Sequence, residues 1–274
     1  MKRRNHTRLV VLGFVGFLSL PWGGLGARSF LPQGSSTPLT PSPGQTAEIS
    51  PRRTEVSLEQ RGDIFMARKA YTDAVDYYHR ALKQSNFKSA SLWNKLGIAY
   101  QQQFHYRAAD KAYKRATRQQ EDFAEPWNNL GTIYFMQNKF RKSVTYYQHA
   151  IKLNPNAASF HLNLGTSFYR LKKYKEAVEE YRAALSLDPN VLAERSQTGT
   201  VLQTRGADPE YYFYMAKVFA SLGRPEEAVR YLRRSFEDGF KDFKRVEEDP
   251  DFTKINQHPA FIELMNNRPV PIKD

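Results

Sequence analysis

The sequence contains no cysteine. That single absence excludes disulfides, zinc–thiolate and iron–sulfur sites, a thiol nucleophile and a lipid-modified N-terminal cysteine together. Also missing are GxSxG, GxxxxGK[ST] and GxGxxG, the loops that expose a serine nucleophile or cradle phosphates. Histidine is sparse and scattered, at His6, His79, His105, His149, His161 and His258, with no HExxH spacing to hold a metal. The carboxylate pairs Glu179–Glu180, Glu226–Glu227 and Glu247–Glu248 read as solvated charge on helix surfaces or beside turns. Nothing assembles a nucleophile, a base and a group to orient it, so no enzymatic activity, no metal and no cofactor are expected.

Tryptophan is scarce, three residues against sixteen tyrosines and eighteen phenylalanines. Rings in that number suit packing between many small elements. At 274 residues, 41% of them hydrophobic, the chain has enough apolar material for two domains or one elongated array. Its formal charge of +13 raises the question of nucleic acid or an anionic surface. Lys2, Arg3, Arg4 and Arg8 account for four of those charges, and the others are largely interleaved with acid, as in KKYKEAVEEYR. The expectation is a solvated helix face and no nucleic-acid partner.

Long apolar runs are absent too. The run from Leu9 to Leu20 is short beside the roughly 20 residues that span a bilayer. Basic residues precede it, and Pro21, Trp22 and the small residues from Gly23 to Ala27 follow, which is the layout of a secretory signal peptide over 1–27. Cleavage after Ala27 or Gly26 and retention as an N-terminal anchor both remain open. Either places the bulk of the chain outside the cytoplasm, periplasmic or extracellular, with membrane contact only if the segment is uncleaved. Residues 28–54 are rich in Pro, Ser, Thr and Gly and read as a flexible linker.

What the sequence does have is a period. Gly97, Gly131 and Gly165 stand 34 residues apart, inside WNKLGIAY, WNNLGTIY and HLNLGTSF. Ala109, Ser143 and Ala177 keep the same spacing, as do Tyr113, Tyr147 and Tyr181, and Ala116, Ala150 and Ala184. Within each unit the apolar positions recur at helical spacing in two blocks around a polar break, which gives a helix–turn–helix. The Gly and Ala columns are small where paired helices approach, and the aromatic columns fill the wider gaps. Pro155 and Pro189 end the second helices of their units. His161 takes the Trp place of its unit and reads as a packing residue.

These columns, W-x2-LG-x2-Y followed by Ala, Tyr, Ala and Pro, resemble the tetratricopeptide repeat family. A weaker unit with Gly62, Phe65, Ala74, Tyr78 and Ala81 precedes them, one residue out of phase, and another follows with Ala216 in the glycine column, then Phe219, Ala228 and Leu232. The resemblance implies an all-α, right-handed superhelical solenoid with a concave groove. Four repeats are expected over 55–191, an irregular helix and loop over 192–208, and a fifth repeat over 209–242. A C-terminal cap and tail follow over 243–274, where Phe252, Ile255, Phe261, Ile262 and Leu264 would cover the last repeat.

In this family the first helix of each hairpin lines the groove. Carried onto this chain, the inward positions include Asn94, Lys95, Ile98, Gln101 and Gln102 in one unit. The next unit gives Asn128, Asn129, Thr132, Phe135 and Met136, and the one after gives Leu162, Asn163, Thr166, Tyr169 and Arg170. Asn129 and Asn163 suit the backbone of an extended peptide, since an amide both donates and accepts. Phe135 and Tyr169 offer stacking surface, and Lys95 with Arg170 offers charge for a carboxylate. The resemblance therefore implies a non-catalytic scaffold that binds a peptide or partner protein. A structural or oligomerising module, tethered at the envelope and acting through its convex face or ends, is the alternative.

Overall fold

The computed structural model describes residues 56–192 and 208–270. The signal-peptide and linker readings for 1–27 and 28–54, and nearly all of the irregular segment at 192–208, lie outside the described residues. Five antiparallel hairpins follow one another: α1 (Leu58–Ala67) with α2 (Tyr71–Gln84), α3 (Ala90–Gln102) with α4 (Tyr106–Gln119), α5 (Ala124–Met136) with α6 (Phe140–Leu153), α7 (Ala158–Arg170) with α8 (Tyr174–Leu187), and α9 (Pro209–Ser221) with α10 (Pro225–Glu237). The short α11 (Phe243–Glu248), a 3-10 turn (Phe252–Lys254) and α12 (Pro259–Asn266) complete an all-α chain, without strands among the described residues.

Local chemistry sets the helix ends. Ser57 and Gln60 form a reciprocal capping box on α1. Ser89 caps α3 and Asp208 caps α9, and Pro209, Pro225 and Pro259 occupy first turns where their missing N–H costs nothing. Each first helix of a hairpin ends the same way, on a residue in the left-handed region: Lys69, Phe104, Asn138, Lys172 and Gly223, with φ between 59° and 68°. The amide after it bonds back into the helix, as Lys139 N to Tyr134 O at 2.9 Å and Lys173 N to Phe168 O at 2.9 Å, so the chain reverses within a few residues. Leu153 and Leu187 end α6 and α8 two residues ahead of Pro155 and Pro189.

Packing within a hairpin turns on one close approach. A Cβ placed on Gly97, Gly131 or Gly165 would lie 2.5 to 2.8 Å from a ring carbon of Tyr113, Tyr147 or Tyr181 respectively, and Gly62 meets Tyr78 in the same way. The out-of-phase first unit is thus paired like the others. Its extra residue sits in the Ser85–Ser89 turn, where Asn86 and Phe87 both take positive φ. In α9–α10 the corresponding residues are Ala216 and Leu232, both fully buried.

Neighbouring hairpins pack through α2–α3, α4–α5, α6–α7 and α8–α9. The odd helices also touch one another, α3 with α5 and α5 with α7, whereas the second helices of successive hairpins make no comparable contact among the described residues. The odd helices therefore form the inside of the curve and the even helices its outside. Phe252, Ile255, Phe261 and Leu264 are buried in the same core as α9 and α10, so the C-terminal end is sealed. Ile262, expected to join them, is 42% exposed, because α12 turns its 261/264 stripe inward and leaves 262 on the opposite side.

Candidate binding surface

The inner side of the array carries an amide ladder. Asn163 Nδ2 donates to Asn128 Oδ1 at 3.0 Å, Asn128 Nδ2 to Asn129 Oδ1 at 3.4 Å, and Asn129 Nδ2 to Asn94 Oδ1 at 3.0 Å. The ladder joins three hairpins. Asn163, Asn128 and Asn94 are buried, and Asn129 is half-buried. Of the four, Asn129 lies nearest the open surface; the others hold the first helices of successive units against each other.

The ninth position of each unit, assigned from the pattern to the groove, serves the buried tyrosine of its own hairpin. Tyr78 Oη donates to Asp63 Oδ1 at 2.7 Å, Tyr147 Oη lies 3.0 Å from Thr132 Oγ1, and Tyr181 Oη donates to Thr166 Oγ1 at 3.4 Å. Ile98 fills that position in the second unit and cannot accept. There Gln101 replaces it, taking the Tyr113 hydroxyl proton at 2.8 Å. Burial pushes all four phenols well above their ordinary range, and the Asp63 carboxylate adds to the effect at Tyr78.

Lys95 is engaged across a repeat boundary by Asp63 at 2.7 Å and Glu59 at 2.8 Å. Partial burial pulls its ammonium down, but the two carboxylates outweigh that and raise its pKa. Tyr169 is buried, donates to Asp208 Oδ2 at 2.8 Å, and packs against Tyr174, Tyr211 and Tyr214. Burial comes first in raising its phenol, with the Asp208 carboxylate second.

Arg170 is different. It is exposed, its guanidinium sits 4.6 Å from the ring centroid of Phe140 and 5.8 Å from that of Phe135, and among the described residues no carboxylate comes within 4 Å of it. Phe135 and Phe140 form an edge-to-face pair at 5.1 Å that holds it. Phe135, expected to offer open stacking surface, is instead buried, because it packs against Phe140 under the guanidinium; Phe135, the half-buried Phe140 and the exposed Arg170 thus join two hairpins.

Sequence reasoning missed Phe140, although a signal was present. Tyr106, Phe140 and Tyr174 recur 34 residues apart as the first residues of α4, α6 and α8. It also missed Glu59, Asp63 and Asp208, each of which has a partner more than thirty residues away, Lys95 for the first two and Tyr169 for the third. All three acidic pairs read as solvated have an engaged member: Glu180 bonds His161 Nδ1 at 2.7 Å, Glu227 pairs with Arg224, and Glu247 pairs with Arg268. His161 Nε2 lies 2.9 Å from Pro155 O, six residues back, the bond that Trp93 makes to Phe87 O and Trp127 to Glu121 O, each at 3.1 Å. Among the described residues no three His, Asp or Glu gather so as to hold a metal ion, and no helix is long and apolar enough to cross a membrane.

A family model described as tetratricopeptide repeat matches residues 94–140 and 131–191. No curated protein sequence matches the chain. Among solved structures, MamA is 21% identical, with 68% of this chain and 96% of that chain covered and a TM-score of 0.47. YrrB, described as a TPR protein with an unusual peptide-binding site, is 16% identical over 69% of this chain and 89% of that one, with a TM-score of 0.45. A thermophilic TPR protein of Thermus thermophilus, TTC0263, is 18% identical over 72% of this chain and 97% of that one, with a TM-score of 0.46.

Proposed function

We propose that this chain, a member of the tetratricopeptide repeat family through residues 94–191, is a non-catalytic scaffold that grips an acidic segment of a peptide or partner protein on the inner face of its odd helices. The observation that carries this reading is Arg170, an exposed cation held on two rings and, among the described residues, lacking a carboxylate. A guanidinium fixed in this way keeps its donor edge pointed away from the rings, ready for an acidic group, and less side-chain entropy is lost on binding. Lys95, paired with Asp63 and Glu59, leaves that role to Arg170. Asn129 supplies a half-buried amide on the same inner face and Met136 some apolar surface, while Phe135 is buried and serves to hold the guanidinium.

The location we propose is outside the cytoplasm. The support is the order basic, apolar, small from Lys2 to Ala27. The binding experiment uses full-length protein as bait for crosslinked partners, compared with Arg170→Glu and with Asn129→Ala. Both side chains reach the surface, so both variants should fold. Recovery of a partner that falls about tenfold or more with Arg170→Glu supports the reading; equal recovery from all three proteins defeats it.

A further inference from the structure

On two of the outer helices, α4 and α6, the charge is mostly of one sign. Along α4, Arg107, Lys111, Lys114, Arg115 and Arg118 fall on one helical stripe, since their spacing repeats every three or four residues. All are exposed except Lys114, which pairs with Asp110 at 2.8 Å. The other four have no carboxylate within 4 Å among the described residues. On α6 the same stripe begins with Arg141 and ends with Lys152, both exposed and without an acidic partner among the described residues, and α6 itself carries no Asp or Glu. On the flanking helices the stripe does include acid: Asp76 lies 3.9 Å from Arg80 on α2, and Glu179 lies 2.8 Å from Arg182 on α8.

A cluster of like charges that holds a single carboxylate, Asp110, costs folding stability through mutual repulsion, and an anionic partner outside the molecule would relieve it. The position of the cluster says what shape that partner has. α4 and α6 are the second and third of the five even helices on the convex side, and the convex side of a curved rod is the part that meets a flat surface. Between the cations stand Thr145, Gln148 and His149, with no large exposed apolar side chain to seat in a protein's pocket. Stable protein interfaces bury such anchors; attraction to lipid headgroups does not require them. The sequence also carries its own means of nearing a bilayer in the apolar run from Leu9 to Leu20. We infer that the outer face of α4 and α6 docks on the anionic surface of a lipid bilayer, with the inner face left open to a partner.

The chain's lack of cysteine makes the test simple. Full-length protein carrying Gln148→Cys, labelled with an environment-sensitive fluorophore, is titrated with phosphatidylcholine vesicles with and without about 30% phosphatidylglycerol. The label should respond on the anionic vesicles only. The titration midpoint should rise about a hundredfold in Lys111→Gln/Arg115→Gln/Arg118→Gln, since each cation near the surface contributes about fivefold. Lys83→Gln/Lys175→Gln, on the flanking helices, should leave the midpoint near the wild-type value. Equal responses on neutral and anionic vesicles would overturn the inference, as would an unchanged midpoint in the triple variant. So would charge-dependent binding to polyglutamate or duplex DNA with no response to vesicles.

Discussion

Gly97 and Tyr113 are packed so closely that a β-carbon on the glycine would stand 2.5 Å from the tyrosine's Cε1. Sixteen residues separate them in sequence, and the same separation joins Gly62 to Tyr78, Gly131 to Tyr147 and Gly165 to Tyr181. The fifth hairpin substitutes both members at once, with Ala216 facing the Leu232 position. A smaller partner makes room for a methyl group. The glycine and tyrosine columns are therefore one packing decision repeated, rather than two independent preferences.

That coupling is measurable. Gly97→Ala alone should destabilise by about 1–2 kcal/mol, because overpacking against a fully buried ring outweighs the gain in helix propensity. Combined with Tyr113→Leu, the pair found in the fifth hairpin, it should cost at least about 1 kcal/mol less than the two single changes summed. Denaturant titrations of the four proteins give the cycle; additive costs would show that the columns are independent.

Lys172 holds φ near 60° at the end of α7, where Gly223 serves at the end of α9. Lys172→Gly should therefore raise stability by about 0.5–1 kcal/mol, the relief of left-handed strain exceeding the extra freedom of glycine in the unfolded chain. A thermal melt decides it, and a lower midpoint would contradict the assignment.

The hydrogen bond that His161 donates to Glu180 raises the histidine's pKa, against the opposing effect of burial, and the Pro155 carbonyl assists. A pKa raised on folding adds stability that is complete below the ordinary histidine value and disappears as pH climbs through the folded one. His161→Trp restores the residue found at that position in two neighbouring units and cannot titrate. The stability of wild type relative to this variant should therefore fall as pH rises from the ordinary histidine value, about 6.5, through the raised one of the folded state. A difference constant with pH would remove the charged pair from the account.

Asn163 looks from the sequence like a peptide contact, yet it is fully buried and donates to Asn128. Asn163→Ala should cost about 1–3 kcal/mol of stability, since it strands the Asn128 carbonyl in the interior. Asn129→Ala, at the half-buried link of the ladder that water can reach, should cost about 1 kcal/mol or less. The reverse order in urea titrations would mean that the ladder is not structural.

The period exposed the hairpins because packing repeats leave the same side chain at the same place. Helix breaks at Pro155 and Pro189, the small columns and the buried tyrosines were all legible for that reason. Less was legible where one position serves another. Thr132 and Thr166 fall on the inner stripe, and nothing in a periodic pattern says that a tyrosine hydroxyl claims them, nor that Ile98 passes the task to Gln101. The turn residues Phe104 and Lys172 carry no glycine signal, since tight reversal there is imposed by the packing of the two helices. Lys95 shows the same limit: its partners Glu59 and Asp63 belong to the preceding hairpin, and only the stacking of units brings them within reach.

The central claim is that the inner face of the odd helices holds a partner. A photocrosslinking amino acid placed at Asn129 in the full-length protein, and separately at Arg118 on the outer face, tests it directly. Irradiation should attach one polypeptide species to the Asn129 position, in amounts that collapse when Arg170→Glu is added, and should attach none of that species at Arg118. Crosslinks to the same polypeptide from Arg118 alone, or an Asn129 adduct indifferent to Arg170→Glu, would contradict the account.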